Sequence, residues 1–149
     1  MIRKVSIKNY RCFEKCEINF KELAIAVGRN NAGKSTLIEA LRIVSIGVNR
    51  ASSINYTLTP NWLNIDNDLL GISPSIENLD ISTNNIFYQY GDPPSLIKTY
   101  FDNGVIIDSY VGEDAKIFVV IFDANGKNIV SKRTAKDLNL SPINILLLC

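Results

Sequence analysis

Residues Gly28-Arg29-Asn30-Asn31-Ala32-Gly33-Lys34-Ser35 fit the pattern G-x-x-x-x-G-K-[ST], a spacing that lets a chain hold phosphate. Gly28 permits a sharp turn out of a strand. Gly33 lets the backbone lie against phosphate oxygens where a Cβ would collide. The N–H groups along the loop, together with the start of the following helix, form an anion site. Lys34 reaches the β- and γ-phosphates as a point charge, Ser35 offers its hydroxyl to Mg²⁺, and Thr36 is placed for the α-phosphate. Arg29 and Asn30 are positions whose backbone matters more than their side chains, and Asn31 and Ala32 complete the loop. The pattern implies a nucleotide with Mg²⁺.

The bare pattern also arises in unrelated chains, so the elements around it decide its meaning. Residues 23–27 are a continuous run of small apolar side chains, the texture of a strand buried on both faces. Beyond the loop, Leu37, Leu41, Val44 and Val48 recur at helical spacing over residues 35–47. Ahead of it, Val5 and Ile7, flanked by Ile2 and Tyr10, predict a first strand, and residues 16–20 a second. A polar stretch from Asn49 to Asn85, rich in Asn and Ser, reads as an insertion or long connection, with a small lobe packed on Trp62 as the alternative. Strand-like runs then follow at 86–88, 97–101, 105–111, 116–122 and 128–131. Asp102-Asn103-Gly104 and Asp123-Ala124-Asn125-Gly126 separate the last four of them in two pairs as hairpin turns. Residues 134–140 predict a helical turn or more. The fold class is therefore α/β: a P-loop NTPase N-terminal lobe of strands, phosphate loop and helix (1–48), a polar insertion or connection (49–85), and an antiparallel β meander with a C-terminal end that looks cut off inside a strand (86–149).

Composition narrows the chemistry further. The chain has 149 residues, 46% hydrophobic and 21% charged, which is ordinary for a globular domain. It contains no histidine, which removes Ser-His-Asp triads, Cys-His nucleophiles, His-ligated zinc and imidazole acid–base catalysis. Cys12, Cys16 and Cys149 do not complete a zinc set and read as half-buried thiols in a reducing compartment. The net charge is +1, but residues 1–50 sum to +6 and residues 51–149 to −5, so the basic half is the one that carries the loop. Lys4, Lys8, Lys15 and Lys21 form either a rim attractive to DNA or a solvated edge. No leader sequence and no apolar run long enough to span a bilayer are visible, so the expectation is cytoplasmic, without a membrane partner.

Two further elements accompany the loop. Asn9-Tyr10-Arg11-Cys12-Phe13 fits N-[YF]-[RK]-x-[FY], and the loop itself has the form G-x-N-x-A-G-K-S. In that order they resemble the N-terminus of the RecF/SMC/OLD group of ABC-type ATPases, and the later meander looks like the antiparallel subdomain of OLD-type AAA ATPases. The resemblance implies an ATPase head that dimerises around ATP and serves DNA repair or anti-phage defence. It places Arg11 near the nucleotide phosphates. It also requires a Walker B strand ending in Asp-Glu and a signature motif, and neither is visible. Asp123, after the apolar residues 118–122, is the nearest candidate catalytic carboxylate, but Ala124 stands where the Glu belongs and Asn125-Gly126 favours a turn.

The expected function is thus the ATP-binding N-terminal portion of an ABC-like head. The alternatives are a nucleotide-binding module without hydrolysis, a GTPase (Asp123 to Gly126 formally fits D-x-x-G, without a guanine-reading N-K-x-D), and a small-molecule kinase, which would need an arginine-rich lid where residues 51–97 have no Lys or Arg.

Overall fold

Nine residues of alternating character build the first strand. β1 (Ile2–Tyr10) buries Val5 and Ile7 and leaves Lys4, Ser6 and Lys8 on the opposite face. The computed structural model describes residues 1–21, 33–140 and 143, so the apolar run at 23–27 and the chain end at 144–149 lie outside the described residues. β2 (Phe13–Asn19) returns antiparallel, with Cys16 opposite Ile7 and Ile18 opposite Val5, and starts three residues earlier than the apolar pattern predicts. After α1 (Lys34–Arg50) and two residue pairs in register, β3 (Thr57–Leu58) with β4 (Leu70–Gly71), the meander follows as β5 (Ser95–Phe101), β6 (Ile106–Val111) and β7 (Ile117–Phe122). One antiparallel sheet holds five strands in the order β2-β1-β5-β6-β7. The first two strands and the meander therefore share a sheet, joined where Ile7 pairs with Ile97.

One face of this sheet packs on α1. Val5, Ile7, Ile97 and Ile107 are buried with Ala40, Ile43 and Val44 of the helix. The buried helix stripe runs through Ala40, Ile43, Val44, Gly47 and Val48, so Leu37 and Leu41 flank the core where the sequence pattern centres them, and the helix continues three residues past Gly47. Among the described residues the other face is covered over β6 and β7. There Leu63, Phe118 and Val120 form a second small core with Trp62, Ile65 and Leu69. Within the polar stretch after the helix, the β3–β4 pair brackets residues 59–69, from which Trp62, Leu63, Ile65 and Leu69 make these contacts.

Two strand expectations fail for identifiable reasons. At 86–88 the chain turns into a short 3-10 segment (Tyr88–Tyr90) containing Gln89 at positive φ, tied to Asn9 instead of to a sheet partner. At 128–131 only one bridge forms, Asn128 to Phe122, because Ser131 caps α2 (Lys132–Asp137) by accepting the Thr134 N–H at 3.3 Å. Among the described residues no helix is long and apolar enough to cross a membrane.

Candidate functional site

The turn between β1 and β2 and the start of α1 meet at one end of the sheet. Gly33 directly precedes the helix at φ +80, a left-handed backbone that residues with a Cβ rarely adopt. A Cβ on it would stand 2.5 Å from Phe13 Cζ and 3.4 Å from Cys12 Sγ, so the first hairpin packs directly under the loop's last glycine. Lys34 is the first helical residue, Ser35 is exposed, and Thr36 Oγ1 accepts the Cys12 thiol at 3.5 Å. Among the described residues no side chain caps this helix, and no carboxylate lies in its own first turn. Its opening N–H groups have no acceptors within the helix.

Arg11 lies in the same turn, itself at positive φ. Its Nε donates to Glu39 Oε1 at 2.9 Å, Nη1 to the Asn84 carbonyl at 2.5 Å and Nη2 to the Ser82 carbonyl at 2.6 Å. Its main-chain N–H donates to Ile86 O at 2.7 Å. Burial works against the guanidinium's charge, but Glu39 outweighs it and raises the pKa above the usual arginine value. The Tyr10 hydroxyl donates to the same Glu39 oxygen, and its pKa is raised by burial first and by Glu39 second. Asn9 gathers the next segment: its amide donates to the carbonyls of Asp92 and Pro94, and its Oδ1 accepts the Tyr88 N–H. Three consecutive residues therefore clasp α1 and residues 82–95 to this end of the sheet.

Of the residues singled out by sequence, Arg11, Gly33, Lys34, Ser35 and Thr36 come together here. Gly28, Arg29, Asn30, Asn31 and Ala32 lie outside the described residues. Asp123 lies at the opposite end of the sheet. It follows Phe122, which pairs with Ile106, whereas the Tyr10 end faces the start of β5 near Leu96. Asp123 Oδ1 accepts the N–H groups of Asn125 and Lys127, both at 2.9 Å, and so closes its own turn. Among the described residues there is no group of three or more His, Cys, Asp or Glu able to hold a metal. Cys12 is exposed rather than half-buried, and Cys16 is half-buried, with its pKa raised by burial and by the nearby Cys12. Sequence reasoning missed Glu39. Its signal was present: four residues after Ser35, it shares a helix face with the hydroxyl.

Comparison with known proteins points to an ATPase-type domain. A model of the AAA ATPase domain family matches residues 1–144. An OLD nuclease from Thermus scotoductus is 30% identical over 66 residues, which are 44% of this chain and 12% of that protein. An ATP/GTP phosphatase from Helicobacter pylori is 52% identical over 42 residues, 28% of this chain and 11% of that protein. Each alignment spans about an eighth of the relative or less.

Proposed function

The chain belongs to the AAA ATPase domain family, and from that premise we propose that residues 28–36 are its ATP-binding loop. One observation carries the reading. A left-handed Gly33 stands directly before a long helix whose first turn holds a lysine and two hydroxyls and no acidic residue. Those groups suit a Mg²⁺-nucleotide: an ammonium and main-chain N–H donors for phosphate, and a hard oxygen at Ser35 for the metal. Mg²⁺ would be held in part by the Ser35 hydroxyl and would supply positive charge against the phosphates. Lys34 binds the terminal phosphates, Thr36 the α-phosphate, and the loop N–H groups fix their orientation.

Arg11 enters this reading as a positioning residue. Three of its five N–H donors are already committed to Glu39 and to residues 82–84, so its direct effect is to hold α1, and with it Lys34 and Ser35, against the β1–β2 turn. Hydrolysis needs a metal-binding carboxylate besides the Ser35 hydroxyl and a group that orients water. Asp123 supplies neither while its carboxylate closes a turn at the other end of the sheet. We therefore read residues 1–48 as the phosphate-loop segment, 49–85 as an insertion and 86–149 as the β subdomain of an ABC-like head. Such a head would dimerise on ATP and act on DNA in repair or anti-phage defence, a reading supported by the N-terminal motifs and the partial OLD nuclease match. A nucleotide-binding module without turnover is the second reading, favoured by the position of Asp123.

Titration of a fluorescent ATP analogue separates these possibilities. Lys34→Ala is expected to weaken binding about tenfold to a hundredfold with an unchanged melting curve, the scale of a charge-assisted phosphate contact. Equal affinity in both proteins would refute the phosphate loop. Competition by GTP and a phosphate-release assay then distinguish the guanine reading and turnover.

A further inference from the structure

Residues 73–83 and the turn joining β6 to β7 face each other across a groove of about 520 Å³ that lies open to solvent. Its floor is apolar, built from Trp62, Ile76, Leu79 and Ile117. The indole is fixed against main chain: a Cβ on Gly112 would stand 2.7 Å from its ring carbons. The rim is acidic. Glu77 and Asp80 come from one wall and Asp114 from the other, and among the described residues none of the three has an ion-pair partner. Against them stands Lys116, and no Lys or Arg occurs from position 51 to 97. Asp114 is presented by an unusual backbone, since it and Ala115 sit consecutively at φ +55 and +54. Two successive non-glycine residues in the left-handed region are strained, and such strain concentrates where a side chain must be aimed.

The main chain adds an independent feature. Ile72 and Val119 exchange N–H···O bonds of 2.9 and 2.8 Å across the outer edge of β7. In an antiparallel ladder every second residue turns its N–H and C=O to the same edge, so Ile117 turns its pair outward as Val119 does. The residue in register with Ile117 is position 74, a proline without an N–H, and among the described residues no main-chain bond joins the two. Among the described residues the outward main-chain groups of Ile117, which lines the groove, therefore have no main-chain partner.

We infer that this groove binds an extended peptide segment alternating aliphatic and basic residues, paired through its backbone with Ile117 and through its basic side chains with Glu77, Asp80 and Asp114. Strand addition supplies the main-chain bonds, the apolar floor takes one side-chain parity, and the carboxylates take the other. The inference is independent of the nucleotide reading, because no residue of the phosphate loop takes part.

The test uses the full chain and a fluorescein-labelled Lys-Val-Lys-Val-Lys-Val peptide, followed by fluorescence anisotropy. Two further probes are the same peptide with Glu for every Lys, and a copy with N-methylated peptide bonds. Saturable binding of the basic peptide is expected, weakened about tenfold or more in the variant E77Q/D80N/D114N and by N-methylation. The exposed positions of the three substitutions allow the variant to keep its melting curve, which is measured alongside. No saturable binding, equal binding of the Glu peptide, or undiminished binding by the triple variant would overturn the inference. So would undiminished binding of the N-methylated copy, since that reduces the groove to a site for cations without strand pairing.

Discussion

The two ends of the five-stranded sheet are held together by different kinds of bond. At the end that carries Asp123, the chain turns by local chemistry. Gly126 takes φ +77, its N–H returns to the Asp123 carbonyl at 2.9 Å, and the Asp123 carboxylate accepts two N–H groups within four residues. At the end that carries Gly33, the bonds span long sequence separations. Arg11 reaches Glu39 and the carbonyls at 82 and 84, and Asn9 reaches Tyr88, Asp92 and Pro94. There the positive-φ positions include Asn9, Arg11, Asn85, Gln89 and Tyr90, none of them glycine. A turn built on Asp and Gly is stable by itself. A turn built on strained non-glycine residues persists only because its surroundings over-determine it, and such clusters accompany binding sites. The comparison assigns closure of a hairpin to one end and the placing of a helix N-terminus to the other.

Two glycines give the largest contrast. Gly33→Ala and Gly126→Ala each impose a left-handed backbone on a residue with a Cβ, costing about 1–2 kcal/mol. At Gly126 the added methyl meets nothing within 4 Å, whereas at Gly33 it meets the Phe13 ring at 2.5 Å. Gly33→Ala is therefore expected to be the more destabilising in urea unfolding and to lose ATP binding, while Gly126→Ala keeps its affinity. Equal behaviour of the two variants would erase the distinction between the ends.

Arg11→Ala comes next. The ion pair with Glu39 is partly buried, with side-chain exposures of 16% and 22%; its loss takes the cation from Glu39, which keeps the Tyr10 hydroxyl, and removes the guanidinium donor from two carbonyls. A cost of about 1–3 kcal/mol is expected, with hydrogen exchange accelerated in the first turns of α1 and near residues 82–86. If Arg11 acts by positioning, its effect on ATP affinity stays below that of Lys34→Ala and is the same for ADP. A loss confined to ATP would instead assign it a terminal-phosphate contact.

The smallest effect is expected in the middle of the sheet, away from both ends. Burial raises the pKa of Asp108, with Lys98 at 3.4 Å opposing, and Oδ1 has no partner among the described residues. A carboxyl whose folded pKa exceeds its unfolded value holds its proton more tightly in the folded state. Stability then falls as pH rises from the unfolded pKa through the folded one. Asp108→Asn is expected to raise the melting temperature slightly at pH 7, to leave it unchanged near pH 3, and to leave ATP affinity untouched. A lower melting temperature at pH 7 would show that the Lys98 pair outweighs burial.

These two kinds of bonding also explain what was legible in the sequence. Asp102-Asn103-Gly104 and Asp123 to Gly126 announce their turns because the residues that close them lie within the turn. Period-two alternation in β1 and β5 likewise marks its own strand. The clasp was not legible, because Arg11, Asn9 and Glu39 find partners 28 to 85 residues away and single polar residues carry no periodicity. The failed strand at 86–88 belongs to the same class, since its main chain is taken by Asn9 and Arg11. The stripe on α1 shifted because Leu37 and Leu41 sit at the border of the sheet, while Ala40 and Gly47 are small enough to bring the helix close to it. Asp123 was weighed as a carboxylate by its sequence neighbours, and strand register decided its location.

The most direct test is a backbone amide NMR titration of the chain with Mg·ATP. We expect shift changes at Gly33, Ser35 and Thr36 and along the Arg11–Cys12 turn, with Asn125, Gly126 and Lys127 unmoved. Shifts centred on the Asp123 turn, or none at Gly33 to Thr36 at saturating nucleotide, would contradict the assignment of the nucleotide to this end of the sheet.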